Sequence, residues 1–314
     1  MPNHVNQFMN HVLTAGQFNK QSLELILNTA GEMEKQLAPG KIEKKLQDKV
    51  VACVFFEPST RTRLSFEAAA LRLGAQVISA ENAMESSSAH KGETIEDTTR
   101  ILNCYADVIV IRHPKEGAAE AAAKVSTKPI INAGDGANQH PSQALLDLLT
   151  VKKELGSLEG LTFTFVGDLI YGRTPHSLIP LLSHFPNNKF NFVSPQSLSL
   201  PQVYKDLLKE KNIAFAETRD LAESLKQADV VYMTRVQKER FANAEDYNKV
   251  KDMFLLKPEH LKLLKEKSVI LHPLPRVNEI DPQIDADPRA AYFREAQNGL
   301  YVRMALLLYA LGLL

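Results

Sequence analysis

The sequence predicts an α/β protein built as two parallel-sheet domains, and three observations carry that prediction. The chain has 314 residues, 44% of them hydrophobic and 24% charged. That is long enough for about two domains with cores of their own, which excludes a miniprotein stapled by disulfides, and its balance excludes a disordered chain or a membrane bundle. Short apolar runs rich in Val and Ile recur at 50–56, 75–79, 107–111, 129–132, 161–166, 190–193, 229–233 and 268–271. Each has the length and character of a strand buried on both faces. Amphipathic segments lie between them, and strands alternating with helices imply parallel sheets joined by right-handed crossovers.

In chain order, residues 63–73 read as a helix with Leu64, Ala68 and Leu71 on one face and Gly74 as its stop. Segment 83–94, which contains Ser86-Ser87-Ser88-Ala89-His90-Lys91, reads as a long polar surface loop. A helical stretch at 142–155 followed by Gly156-Ser157 separates the first series of strands from the second. The expected division is therefore 1–150 for the first domain and 151–289 for the second. Another helix begins near Pro175, a favourable first residue, and turns Leu178, Leu181 and Leu182 inward. The last segment is apolar on several faces, so 290–314 is expected to return to the first domain as a packed helix. There is no internal repeat.

Charge and composition exclude several classes of partner. Lys plus Arg total 37 and Asp plus Glu total 37, a formal net charge of zero, which argues against nucleic acid held on a broad basic face. No run reaches the roughly 20 apolar residues of a membrane span. The start, Met-Pro-Asn-His, lacks the basic stretch and apolar core of a secretory signal, so cytoplasmic residence is the expectation. Two cysteines, Cys53 and Cys104, are too few for a disulfide framework or a four-cysteine zinc site, and Cys53 sits in an apolar run as a small hydrophobe would.

The most informative stretch is Glu57-Pro58-Ser59-Thr60-Arg61-Thr62-Arg63, directly after a strand and directly before a helix. Amides at a helix N-terminus lack intrahelical partners and carry partial positive charge, so they suit an anion. Hydroxyls from Ser59, Thr60 and Thr62 and the planar fork of Arg61 add the donors of a phosphate cradle. It is not the glycine-lysine loop of a nucleotide-binding P-loop. Read only as a capped helix start, the segment would place its arginines against the helix dipole, at a cost of roughly 0.3–1 kcal/mol each. Arg112, Arg173 and Arg235 each fall at or just beyond the carboxyl end of an expected strand, where α/β proteins bind ligands.

This segment resembles the phosphate-binding motif shared by the aspartate and ornithine carbamoyltransferases. His140-Pro141-Ser142-Gln143 resembles the family's second motif. Lys91-Gly92-Glu93-Thr94, the stretch from Met233 to Arg240, and His272-Pro273-Leu274-Pro275-Arg276 resemble the aspartate branch. The ornithine branch would place a cysteine where Pro273 stands. The resemblance spans nearly the whole chain with its motifs in order.

It implies an active site in the cleft between the domains, transfer of the carbamoyl group from carbamoyl phosphate to the amino group of L-aspartate, and a place in pyrimidine synthesis. Ser59, Thr60, Arg61, Thr62 and Arg112 would hold the phosphate, and Thr62, Arg112 and His140 would aim donors at the carbamoyl oxygen. Gln143 and the carbonyls of Pro273 and Leu274 would accept from its NH2 group. Arg173, Arg235 and Gln237 would bind the carboxylates of aspartate. Ser87 and Lys91 would reach the site of a neighbouring subunit, which makes a homotrimer with shared active sites the expected assembly, and Lys91 would act on both substrates. Glu57 would bridge to Arg173 and Arg240 on domain closure. No metal and no cofactor is implied, and a regulatory or dihydroorotase-type chain remains an open partner.

Three rival readings follow from the same residues. An ornithine enzyme is disfavoured by Lys91, by Arg235-Val236-Gln237 and by Pro273. An inactive structural subunit would have lost catalytic side chains, and all are present. A dinucleotide-dependent oxidoreductase could use Phe165-Val166-Gly167-Asp168, which lacks the G-x-G-x-x-G pattern.

Overall fold

The computed structural model describes residues 10–38, 40, 42–86, 92–237, 241 and 243–314. The chain forms two compact units, one drawing on the chain up to Leu146 and again on Gln297–Leu314, the other on Asp147–Ala296. In chain order the elements are α1 (Lys20–Leu37), β1 (Val50–Phe55), α2 (Thr60–Arg72), β2 (Gln76–Glu81), α3 (Ala83–Ser86), α4 (Ile95–Leu102), β3 (Val108–His113), α5 (Ala118–Val125), β4 (Ile130–Asp135) and α6 (Pro141–Leu155). They continue with β5 (Thr162–Val166), α7 (Arg173–Leu182), β6 (Lys189–Val193), α8 (Gln202–Glu210), β7 (Ala214–Thr218), α9 (Leu221–Gln227), β8 (Val230–Met233), α10 (Ala244–Val250), β9 (Val269–Leu271) and α11 (Tyr292–Ala310).

Both sheets are parallel throughout. The first has the order β2-β1-β3-β4 and the second β7-β6-β5-β8-β9. The first unit's central strands are buried over most of their length, residues 51–55 in β1 and 108–112 in β3, with Val, Ile, Ala and Cys filling their middles. The second unit instead fills its centre with rings. Phe163, Phe165, Phe190 and Phe192 stack with centroids 5.7–6.5 Å apart, and Tyr232 lies 5.3 Å from Phe165. The C-terminal helix α11 contributes to the first unit, where Val302 and Met304 to Leu308 are fully buried and Arg303 lies over the Phe66 ring at 5.2 Å.

Several local expectations are corrected. Helix α2 begins at Thr60 rather than 63, and it buries Thr62, Phe66, Ala69 and Ala70. Leu64 and Leu71 are 49% and 58% exposed, because Phe66, Ala69, Ala70 and Leu73 form the stripe turned inward and the two leucines lie off it. The run at 75–79 belongs to an edge strand, β2, whose residues are all exposed or half-buried. There Arg63 pairs with Glu81 at 2.7 Å and Ser79 bonds Glu67 at 2.6 Å. Strand β7 is the other edge, absent from the predicted set because Ala-Phe-Ala-Glu-Thr carries no Val or Ile run. Within 83–94, residues Ala83–Ser86 are helical rather than loop, and Thr94 caps α4 by accepting from Asp97 N at 3.1 Å. Leu178, Leu181 and Leu182 of α7 are fully buried as expected, although that helix starts at Arg173. No helix among the described residues is long and apolar enough to cross a membrane.

Candidate active site

In the first unit, adjacent strands β1, β3 and β4 deliver the polar residues at their carboxyl ends. β1 runs into Phe56 and Glu57, and Ser59 is the N-cap of α2 without using its hydroxyl to cap the helix's own amides. Thr62 is buried in the first turn, while Thr60 and Arg61 are exposed there. β3 pairs with β1 so that Arg112 faces Phe55 in register, and Phe56 N donates to Arg112 O at 2.8 Å. The buried Arg112 guanidinium donates to Glu57 Oε1 at 3.1 Å and to the Ala133 carbonyl at 3.4 Å, and its Nε is a buried donor with no hydrogen-bond partner. Burial is the main reason its pKa falls below the ordinary value, with Glu57 opposing. Arg61, although accessible to solvent, is lowered too, first by partial desolvation of its guanidinium and then by the charge of Arg112. A guanidinium depressed by the charge of a second one beside it marks a place short of negative charge, where an anion is welcome.

β4 leads to His140 through a loop organised by a buried carboxylate that sequence reasoning missed. Asp135 Oδ1 accepts from Asn132 Nδ2 at 2.9 Å and from Gln139 N at 3.1 Å, and its Oδ2 accepts from Gly117 N at 2.8 Å and Asn138 Nδ2 at 3.0 Å. Asn132 Oδ1 in turn accepts from Gly134 N at 2.8 Å. The signal was the cluster Asn132-Ala133-Gly134-Asp135-Gly136, whose Asx residues bond nearby amides and whose glycines accept positive φ. This loop presents His140 just before Pro141 opens α6. Its Nδ1 lies 3.4 Å from Ser142 Oγ, and Gln143 N donates to its carbonyl at 3.0 Å. His140 and Gln143 are both buried.

In the second unit, neighbouring strands β5 and β8 carry Arg173 and Arg235 beyond their carboxyl ends, and the two connections are bonded together. Thr234 N donates to Val166 O at 2.9 Å, and its hydroxyl reaches Val166 O at 2.8 Å and Asp168 O at 3.2 Å. Gln237 Nε2 donates to Tyr171 O at 3.1 Å, and Tyr171 N to Asp168 Oδ1 at 2.9 Å. Gly167 has φ +109°, and a Cβ there would sit 2.5 Å from the Thr234 carbonyl oxygen, so only glycine permits this approach. Pro273 and Leu274 follow β9, with Leu274 at φ +55°. Arg276, from the same motif, is taken up locally by Asp285 and Tyr292.

Glu57, Ser59, Thr60, Arg61, Thr62, Arg112, His140 and Gln143 all fall in the first unit. Arg173, Arg235, Gln237, Pro273 and Leu274 fall in the second. Ser87, Lys91 and Arg240 lie outside the described residues. Cys53 is buried on β1 with its thiol pushed up to about 12, first by burial and then by Glu67, so it is chemically inert.

Comparison with known proteins also divides the chain in two, although the second matched domain runs on through the C-terminal segment that belongs to the first unit. Residues 10–153 fit the family model described as aspartate/ornithine carbamoyltransferase, carbamoyl-P binding domain, and residues 159–310 fit its Asp/Orn binding domain. The aspartate carbamoyltransferase catalytic subunit of Clostridium novyi is 49% identical over 295 residues, covering 94% of this chain and 95% of that protein. The multifunctional protein pyr1-3 of Dictyostelium discoideum is 48% identical over 302 residues, 96% of this chain but only 13% of that protein's length. Aspartate transcarbamoylase from Trypanosoma cruzi, solved with carbamoyl phosphate and aspartate, superposes with a TM-score of 0.91 at 38% identity, covering 99% of both chains. With two family domains in sequence and near half of its residues shared along almost its full length, the chain belongs to the aspartate/ornithine carbamoyltransferase family.

Proposed function

We propose that the protein transfers the carbamoyl group of carbamoyl phosphate to the amino group of L-aspartate, giving N-carbamoyl-L-aspartate and phosphate in de novo pyrimidine synthesis. The observation that carries this reading is Arg112. It is a buried guanidinium with an unmet Nε donor, and Arg61 is depressed beside it, at strand ends preceding a helix start rich in hydroxyls. Carbamoyl phosphate is a small dianion suited to that arrangement, with Ser59, Thr60, Arg61, Thr62 and Arg112 on its phosphate. Arg173, Arg235 and Gln237 suit the two carboxylates of aspartate, and a cationic amino acid would meet those arginines unfavourably.

The chemistry needs positioning and charge stabilisation more than a base of unusual pKa. The neutral amine of aspartate attacks the carbonyl carbon, a C–N bond forms, and negative charge develops on the carbonyl oxygen. Donors from Thr62, Arg112 and His140 stabilise that oxyanion. His140 Nδ1 lies 3.4 Å from Ser142 Oγ, and in the tautomer where that hydroxyl donates, the ring proton sits on Nε2, the nitrogen that would serve the oxyanion. Gln143 and the carbonyls of Pro273 and Leu274 accept from the carbamoyl NH2 group and orient it. The bond from carbon to the bridging phosphate oxygen then breaks, and the departing phosphate takes the proton released by the amine.

The working assembly in this reading is a cytoplasmic homotrimer in which Ser87 and Lys91 complete a neighbour's site. Glu57 joins Arg173 and Arg240 when substrates are bound. Regulatory or dihydroorotase-type chains are compatible with it. The test is an assay of purified protein with carbamoyl phosphate. Phosphate should be released with aspartate and not with ornithine, and a chelator should have no effect. Release with ornithine alone would overturn the substrate, and a folded oligomer inert toward both would favour a structural subunit.

A further inference from the structure

The turn that follows β9 is held by a buried pair of side chains whose geometry fixes a proton. Leu274 adopts φ +55°, a conformation that residues bearing a Cβ rarely take without support. Its amide donates to His272 Nδ1 at 2.7 Å. A ring nitrogen that accepts carries no hydrogen, so the proton of the neutral imidazole sits on Nε2. That atom lies 2.7 Å from Glu279 Oε1. The other carboxylate oxygen, Oε2, accepts from Val277 N at 3.0 Å and Asn278 N at 3.1 Å. The backbone of His272 is tied as well, its amide donating to Glu295 Oε2 at 2.9 Å.

His272 is 1% exposed and Glu279 4%. Burial would raise the Glu279 carboxyl, but the hydrogen bond from His272 and those from the backbone outweigh it and hold the group below its ordinary value, hence ionised. Four hydrogen bonds, joined through the buried His272 and Glu279, are thus committed to the shape of the segment 272–279, and all of them belong to the second unit.

We propose that His272 and Glu279 are positioning residues for the carbamoyl group. Ionised Glu279 fixes the His272 tautomer, and His272 Nδ1 holds Leu274 in the left-handed turn that aims the Pro273 and Leu274 carbonyls at the substrate NH2. The proposal rests on the reading above, in which those two carbonyls accept from carbamoyl phosphate. It has a consequence that a merely structural pair would not share. Inorganic phosphate has no NH2 group, so loss of the turn weakens carbamoyl phosphate and leaves phosphate alone.

The experiment compares the dissociation constants of carbamoyl phosphate and of inorganic phosphate, without aspartate, for the intact enzyme and three variants. His272→Leu removes the acceptor for the Leu274 amide. It should weaken carbamoyl phosphate by about tenfold or more, the loss expected when oriented hydrogen bonds go, with phosphate within about twofold. His272→Asn places a side-chain oxygen near the position of Nδ1 and should restore most of the affinity. Glu279→Gln, which keeps the shape but points an NH2 at the amides of Val277 and Asn278, should reproduce the selective loss even if His272→Leu fails to fold. Equal weakening of both ligands, or unchanged carbamoyl phosphate binding in folded His272→Leu or Glu279→Gln, would overturn the proposal. Wild-type protein that binds carbamoyl phosphate no better than phosphate would remove the underlying reading instead.

Discussion

Glu57 and Arg112 meet at the ends of the neighbouring strands β1 and β3, with Glu57 Oε1 3.1 Å from Arg112 Nη2. The side chain of Arg112 is nearly enclosed and that of Glu57 is partly open. The carboxylate therefore both partners the arginine and remains within reach of other groups. Glu57→Ala should lower kcat/KM for aspartate by about tenfold or more, equivalent to ~1.4 kcal/mol, with the oligomer eluting unchanged. Steady-state rates at low aspartate are the measurement, and wild-type turnover there would contradict the role of Glu57 in closure.

Gly167 is where the β5 connection touches the β8 connection. Gly167→Ala forces a Cβ against the Thr234 carbonyl in a conformation alanine avoids, a strain of about 1–3 kcal/mol. The shift separates the segments that bear Arg173 and Arg235. KM for aspartate should rise about tenfold while that for carbamoyl phosphate stays within about twofold. A variant with a lower Tm and an unaltered aspartate KM would show that the contact serves stability alone.

Asp285 is held below its ordinary carboxyl value, first by its hydrogen bonds with Arg276, with burial opposing and Tyr292 assisting. A depressed carboxyl stabilises the fold above its unfolded value of 3.8, and that contribution is lost as pH falls through the lower folded value. Asp285→Asn should lower Tm by about 1–2 °C at neutral pH, because a solvent-screened pair contributes less than ~1 kcal/mol and a larger chain shifts less for it. The gap to wild type should close below pH 3.8. A gap that persists unchanged in acid, measured by thermal denaturation, would assign the effect to packing.

Lys91→Ala and Arg61→Ala proteins should each be nearly inactive alone. Mixed and allowed to exchange subunits, they should regain a fraction of wild-type turnover if one chain's Lys91 serves another chain's Arg61. Mixtures shown by mass spectrometry to contain both chains, yet still inactive, would place Lys91 in its own chain's site.

The strands at the centre of each sheet were legible because burial on both faces selects uninterrupted apolar runs, as in Val51 to Phe55. The edges were less so. β2 carries exposed Gln76 and Glu81 and β7 exposed Glu217, which pairs with Lys205 at 3.1 Å, so one side of each is wetted and the apolar signal is diluted. In α2, counting leucines selected the wrong face, since a single Phe66 with two alanines packs closer to the sheet than Leu64 or Leu71 could. The cationic and hydroxyl residues of the site were readable from their positions after strands. Asp135 and Glu279 were not. Their importance lies in the amides and the imidazole they accept from, and those meet only once the loops have folded.

The composition of the first unit sets the order in which the protein can mature. Asn10 N donates to Ala310 O at 3.3 Å, Asn10 Nδ2 to Tyr309 O at 3.1 Å, and the rings of Phe18 and Tyr309 lie 6.0 Å apart. Residues 10–18 thus wait for residues 297–314 before their core is sealed. On the ribosome, the second unit has its whole sequence available first. The earlier-made half must remain unfinished, with Phe66 and Leu146 lacking the helix that covers them, until the last turns of α11 emerge.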